Sequence, residues 1–125
     1  MVGLDRTRVT ISGSAPLSKE ILLFLRCLLN GVVIEGYGAT ETTGPTTLQV
    51  GGDYSIGNVG GALPCCDIKL VDVPEMGYMT TDRDHNGTPC KGRGELWIRG
   101  HNITPGYFKS PELTSKSFDK DGFLA

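Results

Sequence analysis

The sequence predicts an α/β fold, in which a βαβ piece of a larger parallel-sheet domain is followed by a smaller antiparallel β region. Three observations carry that reading. Residues 8–34 run strand, small-residue loop, helix, strand. Two cleanly alternating runs, Ile68–Val73 and Glu95–Arg99, follow with a turn-rich connection between them. Glycines number 18 in 125 residues, about twice the usual share, yet they lie between apolar runs and do not repeat.

Each element has a local reason. Arg8-Val9-Thr10-Ile11-Ser12 alternates, as a strand with one buried face does, and opens into the loop Gly13-Ser14-Ala15-Pro16. Ser18 suits a helix N-cap, and Glu20 suits the positive end of the dipole. Ile21, Phe24, Leu25 and Leu28 share one stripe that Leu22, Leu23 and Leu29 widen, predicting a helix buried on most sides. Asn30-Gly31 ends it, and β-branched Val32-Val33-Ile34 reads as a short central strand. The loops Gly13–Pro16 and Gly36–Pro45 each follow a strand, so both are expected at the carboxyl edge of the sheet, where open α/β sheets bind ligands. Farther on, Asp84–Pro89 is dense in turn formers and predicts a long, exposed connection. Ser110-Pro111-Glu112 reads as a capped helix start, with the helix ending near Phe118. The division expected is 1–50 for the βαβ part and 51–125 for the antiparallel part with its terminal helix.

Composition narrows the function. Twelve Lys and Arg against 14 Asp and Glu give a net charge of −2 without a basic block, which argues against nucleic acid or a polybasic membrane patch. Cys27, Cys65, Cys66 and Cys90 form no C-x-x-C, and His85 and His101 fit no zinc spacing, so reduced intracellular thiols are the expectation. Asn86-Gly87-Thr88 and Asn102-Ile103-Thr104 match the glycosylation pattern, but nothing else suggests secretion. No apolar stretch approaches the ~20 residues that span a bilayer.

The chemistry concentrates in Ile34–Pro45, "IEGYGATETTGP". Threonine hydroxyls and exposed backbone N–H groups suit phosphate oxygens, Glu41 is a hard oxygen ligand of the kind Mg²⁺ prefers, and Tyr37 offers a flat face to a base. The same residues also read as a polar surface loop closed by proline. Trp97 reads as a strand core residue, His101 as a solvated turn residue, Arg93 and Arg99 as partners of surface carboxylates, and Asp119 and Asp121 as turn residues without chemistry.

Tyr37-Gly38-Ala39-Thr40-Glu41 resembles the Y-G-x-T-E signature of the adenylate-forming (AMP-binding) superfamily. Gly13-Ser14-Ala15-Pro16-Leu17 resembles that family's loop beside the adenine. "GNVGGALP" (57–64), "GELWIRG" (94–100) and "GYFK" with Pro111-Glu112 are similar to later family segments, in the family's order. "EGYGATETTG" with "IKLVDVPEMGY" (68–78) resembles the long-chain fatty-acid–CoA ligase subgroup. The resemblance covers nearly the whole chain and implies an adenylation-domain fragment of that superfamily's fold.

Its implied activity is activation of a fatty acid by ATP to an acyl-adenylate, followed by transfer to CoA. By matching position, Tyr37 would stack on adenine, and Gly13, Ser14 and Ala15 would line the same pocket together with Gly36, Gly38 and Ala39. Thr40 would bond a phosphate, and Glu41 would bind Mg²⁺; Thr40 and Glu41 are the catalytic candidates. Partners are then fatty acid, ATP, CoA and the remaining parts of a parent ligase, located inside the cell on cytosol-facing membranes such as the endoplasmic reticulum. The family's lysine-bearing phosphate loop and T-G-D motif have no counterpart here, so the chain is expected to be an internal piece, with weak ATP binding at best and no ligation alone. Two alternatives stand beside this reading: a ligase for another carboxylic acid, and a non-catalytic module keeping a remnant nucleotide pocket.

Overall fold

In a computed structural model, residues 4–125 are described. They form two compact units, the first running to Leu63 and the second spanning Pro64–Ala125, so residues 51–63 belong to the first unit.

The first unit begins with β1 (Val9–Ser12), α1 (Lys19–Leu29) and β2 (Val32–Ala39), and continues with β3 (Gly44–Leu48) and β4 (Gly61–Ala62). Its sheet has the order β1-β2-β3-β4. β1 and β2 pair in parallel from Val9↔Val32 to Ser12↔Glu35, as the βαβ pattern requires. β2 is longer than expected. It continues through Tyr37 to Ala39, turns over one 3-10 turn at Thr40–Thr42, and pairs antiparallel with β3. The expected loop Gly36–Pro45 is therefore a hairpin. Glycine explains it: a Cβ on Gly38 would overlap the Gly44 carbonyl, so only glycine lets the arms cross so closely.

The Ser18 hydroxyl accepts the Ile21 N–H at 3.3 Å, and Asn30 ends α1 with a left-handed φ of 44°. The burial of α1 corrects the sequence reading. Leu22 is fully buried, with Leu25, Arg26 and Leu29 half-buried, while Ile21, Phe24 and Leu28 are 51%, 62% and 61% exposed. A helix lying on one side of a sheet buries one stripe, and here that stripe is shifted one residue from the expected one. β1 behaves likewise, with Val9 and Ile11 exposed and Thr10 and Ser12 half-buried. The apolar core of this unit is Leu22, Val33 and Ile34, beside a buried polar group of Glu35, Thr42, Thr46, Thr47 and Gln49.

The second unit is built on β5 (Cys66–Val71), which pairs antiparallel with β8 (Glu95–Gly100) over six residues, Cys66↔Gly100 to Val71↔Glu95. Their connection holds a 3-10 turn at Pro74–Met76 and a hairpin of β6 (Asp84–His85) and β7 (Thr88–Pro89). Asn86 and Gly87 both take positive φ, 52° and 79°, which a two-residue hairpin turn demands. Arg83 and Cys90 flank this hairpin and are joined by a backbone hydrogen bond of 3.0 Å.

α2 (Pro111–Ser117) starts at a proline, but the Ser110 hydroxyl does not cap it; the Ser110 carbonyl instead accepts from the Thr114 N–H and hydroxyl. Ile98, Phe123 and Leu124 form this unit's core, and Leu124 exchanges both backbone hydrogen bonds with Ile98.

Candidate functional site

The Gly13–Pro16 loop leaves β1 beside the neighbouring end of β2. Gly13 approaches β2 so closely that a Cβ there would lie 3.1 Å from the Gly36 carbonyl oxygen. Ser14 adopts a φ of 71°, uncommon for a residue with a side chain. Two clefts open on this edge of the first unit and share Ser12, Ser14 and Gly36–Gly38 as a common wall. One, of about 720 Å³, extends past Gly13 to Ala39, Thr40 and Glu41. The other, of about 470 Å³, extends past Ala15 to Glu35 and to a facing wall of Gly57, Asn58 and Val59.

All nine positions singled out from the sequence therefore lie along one sheet edge: Gly13, Ser14, Ala15, Gly36, Tyr37, Gly38, Ala39, Thr40 and Glu41. The hydroxyls of the turn divide by role. Thr42 is 1% exposed, and its Oγ1 accepts the Ala39 N–H at 2.9 Å. Its proton is directed to the Gly44 carbonyl at 2.7 Å or the Ala39 carbonyl at 3.0 Å. It is an internal staple that shapes the turn. Thr40 is exposed and Glu41 half-buried on the cleft. Among the described residues no group of three or more His, Cys, Asp or Glu is placed to hold a metal ion. One carboxylate beside hydroxyls nevertheless fits Mg²⁺, which keeps several waters and takes the rest of its shell from phosphates.

A sequence profile of the AMP-binding enzymes matches residues 3–108. The chain belongs to the AMP-binding enzyme family. Human long-chain-fatty-acid–CoA ligase 6 is 44% identical over 117 residues, 94% of this chain and 16% of that protein. Guinea-pig (Cavia porcellus) long-chain-fatty-acid–CoA ligase 1 is 43% identical over 119 residues, 95% of this chain and 16% of that protein. The adenylation domain of carboxylic acid reductase from Segniliparus rugosus, solved with AMP and a co-purified carboxylic acid, superposes with a TM-score of 0.70 at 40% identity, over 91% of this chain and 16% of that one. The chain thus spans 16% of the length of these relatives. Within the AMP-binding family, the subgroup similarity read from "EGYGATETTG" and "IKLVDVPEMGY" holds.

Sequence reasoning missed the far wall of the Tyr37 cleft. "GNVGGALP" carries the family resemblance, but nothing in its spacing says that Gly57–Val59 faces Tyr37. That placement depends on long-range bonds. The Thr47 hydroxyl donates to the Val59 carbonyl at 2.8 Å, and Gly60, with a φ of 77°, leaves no room for a Cβ against the Leu48 carbonyl. Asp53, at the start of this loop, accepts from the Ser55 hydroxyl and N–H and faces Arg26, and these hold its carboxyl below the usual aspartate range.

The second unit of this AMP-binding-family chain carries its own polar features. Trp97 is half-buried, donating to Glu95 at 2.8 Å with the Lys69 ammonium 4.9 Å from its ring centre. Arg99 pairs with Asp67 at 2.8 Å and Arg93 with Asp82 at 3.4 Å, as read from the sequence. His101 is an exposed turn residue, also as read. A groove of about 450 Å³ runs from Pro64 past Cys65 and Cys66 to His101.

Proposed function

We propose that the first unit of this chain supplies one wall of the nucleotide site of a long-chain fatty-acid–CoA ligase. The observation that carries the reading is the convergence of the Gly13–Pro16 loop, Tyr37 and the Thr40-Glu41 turn on one cleft edge. The identities to long-chain ligases and the likeness to an AMP-bound adenylation domain support it.

A fatty carboxylate is a poor electrophile because oxide is a poor leaving group. Attack of the carboxylate on the α-phosphorus of ATP forms the acyl-adenylate and expels pyrophosphate. Attack of the CoA thiol on that acyl carbon then releases AMP. In this chain Tyr37 would stack on the base with Gly13, Ser14, Ala15 and Gly36 around it, while Gly38 and Ala39 carry the strand to the phosphates. Thr40 would donate to a phosphate oxygen, and Glu41 would hold Mg²⁺, which supplies charge neutralisation along the phosphates when bound. The contribution of these residues is orientation and charge stabilisation.

The exposed apolar residues of the first unit, Val9 and Ile11 on β1 and Phe24 and Leu28 on α1, are assigned to contacts with the remaining parts of a parent ligase. No helix among the described residues is long and apolar enough to cross a membrane. A place on cytosol-facing membranes such as the endoplasmic reticulum would therefore come from other parts of that ligase.

Titration of the isotope-labelled chain with ATP, with and without Mg²⁺, tests the reading. Amide shifts are expected to move at Tyr37–Glu41, with tighter binding when Mg²⁺ is present. Glu41→Gln should abolish the Mg²⁺ dependence, a change of about tenfold for loss of one hard ligand, while leaving AMP binding in place. Retention of the full Mg²⁺ effect in that variant would remove Glu41 from the metal.

A further inference from the structure

Gln49 follows β3, is 2% exposed and adjoins the cleft without lining it. Its side chain joins the two walls. Oε1 accepts the Glu35 N–H at 2.9 Å, directly before Gly36 and Tyr37. Nε2 donates to the Ser55 carbonyl and to Asn58 Oδ1, both at 3.3 Å, on the opposite loop. The backbone repeats the tie to the Tyr37 wall alone, since the Gln49 N–H donates to the Glu35 carbonyl at 3.0 Å.

The loop is held at other points too. Asn58 Nδ2 donates to the Ser55 hydroxyl at 2.7 Å, and Asn58 Oδ1 also accepts the Gly60 N–H at 2.9 Å. Arg26 of α1 donates to the Tyr54 carbonyl at 2.9 Å and to the Val33 carbonyl at 3.2 Å. Gln49 is the side chain among these that bonds both walls of the cleft. A buried primary amide suits this because it accepts and donates at once, and a leucine of similar volume does neither.

We infer that Gln49 is a positioning residue that fixes the Gly57–Val59 wall opposite Tyr37, and thereby the affinity for the nucleoside half of the ligand. This rests on the nucleotide reading above. The Thr40-Glu41 turn lies on the other cleft, so the phosphate half should not depend on Gln49.

The test uses the full 125-residue chain, with Gln49→Leu and Gln49→Glu, and AMP and Mg²⁺-pyrophosphate as separate probes followed by amide shifts. Both variants should weaken AMP by about tenfold, the scale of one or two buried hydrogen bonds lost, and leave Mg²⁺-pyrophosphate unchanged. Gln49→Glu keeps an acceptor for Glu35, so hydrogen exchange should quicken in it only at residues 55–60, whereas Gln49→Leu should quicken the Glu35 amide as well. Equal weakening of both probes would mean a merely structural residue, and unaltered AMP binding would mean that Gln49 does not set the cleft; either overturns the inference while the nucleotide reading survives. A parent chain that binds no AMP would end both.

Discussion

Single residues decide what this turn presents to a ligand. Thr40, Thr42 and Thr43 are alike in sequence, yet Thr42 is spent inside the turn while Thr40, with Glu41, borders the cleft. Burial sorts them, and burial was not legible because the alternation of β2 breaks at a register shift between Tyr37 and Gly38. Asp119 shows the same limit in the second unit. The sequence marks only a polar turn, but Asp119 meets Lys69 at 2.6 Å and accepts the Phe123 and Asp121 N–H groups at 2.8 and 2.9 Å.

Lys69 first, and those N–H groups after it, hold the Asp119 carboxyl below the ordinary aspartate range. A lowered folded pKa adds stability that is complete above the unfolded value of about 4 and drains away as pH falls through the folded one. Acid unfolding followed by the fluorescence of Trp97, the single tryptophan, should therefore steepen below about pH 4. Asp119→Asn should be less stable at pH 7 and lose that part of the slope. An Asn variant with the same acid profile would show that Asp119 contributes nothing.

At the scale of elements, the β1–α1–β2 order was legible because local signals agree with the fold, β-branched Val32–Ile34, the Ser18 cap and the Asn30 stop, whereas β3 and β4 were not. What was not legible is the facing of those elements. Apolar periodicity placed Phe24 and Leu28 in the buried stripe, whereas the sheet covers Leu22. The two helix starts make the point in energetic form. Both read as serine caps, but only the Ser18 hydroxyl accepts a backbone N–H. Ser18→Ala should cost about 1 kcal/mol in denaturant unfolding, and Ser110→Ala only a few tenths. Equal costs would mean that the Ser18 bond carries no weight.

For the whole molecule, the antiparallel pair was visible in the alternation of Ile68–Val73 and Glu95–Arg99, although β5 begins two residues earlier, at Cys66. The return of Leu124 against Ile98 was not, because one bridging residue leaves no periodic trace. The edge that gathers the nine candidate positions was legible because glycines needed for close approach, Gly13 and Gly38, also lie in the motifs that carry the family resemblance. Its opposite wall was not, since Gln49 acts only through bonds to residues it does not adjoin in sequence.

The wide connection between β5 and β8 has a consequence in time. β2 meets β3 across one short turn, whereas Val71 finds Glu95 only after the chain between them has closed into a large loop. Closing it costs entropy before any ladder bond repays it, and such non-local pairing slows folding. The hydrogen bond between Arg83 and Cys90 shows where that delay is shortened. Once the Asn86-Gly87 turn has folded, its six residues from Asp84 to Pro89 no longer lengthen the search. Pulse-labelled hydrogen exchange during refolding should find the Asp84–Pro89 hairpin protected before β5 and β8, and the β2–β3 hairpin early as well. Protection of β5 and β8 first would reverse that order and place the nucleus of the second unit in its longest-range pair.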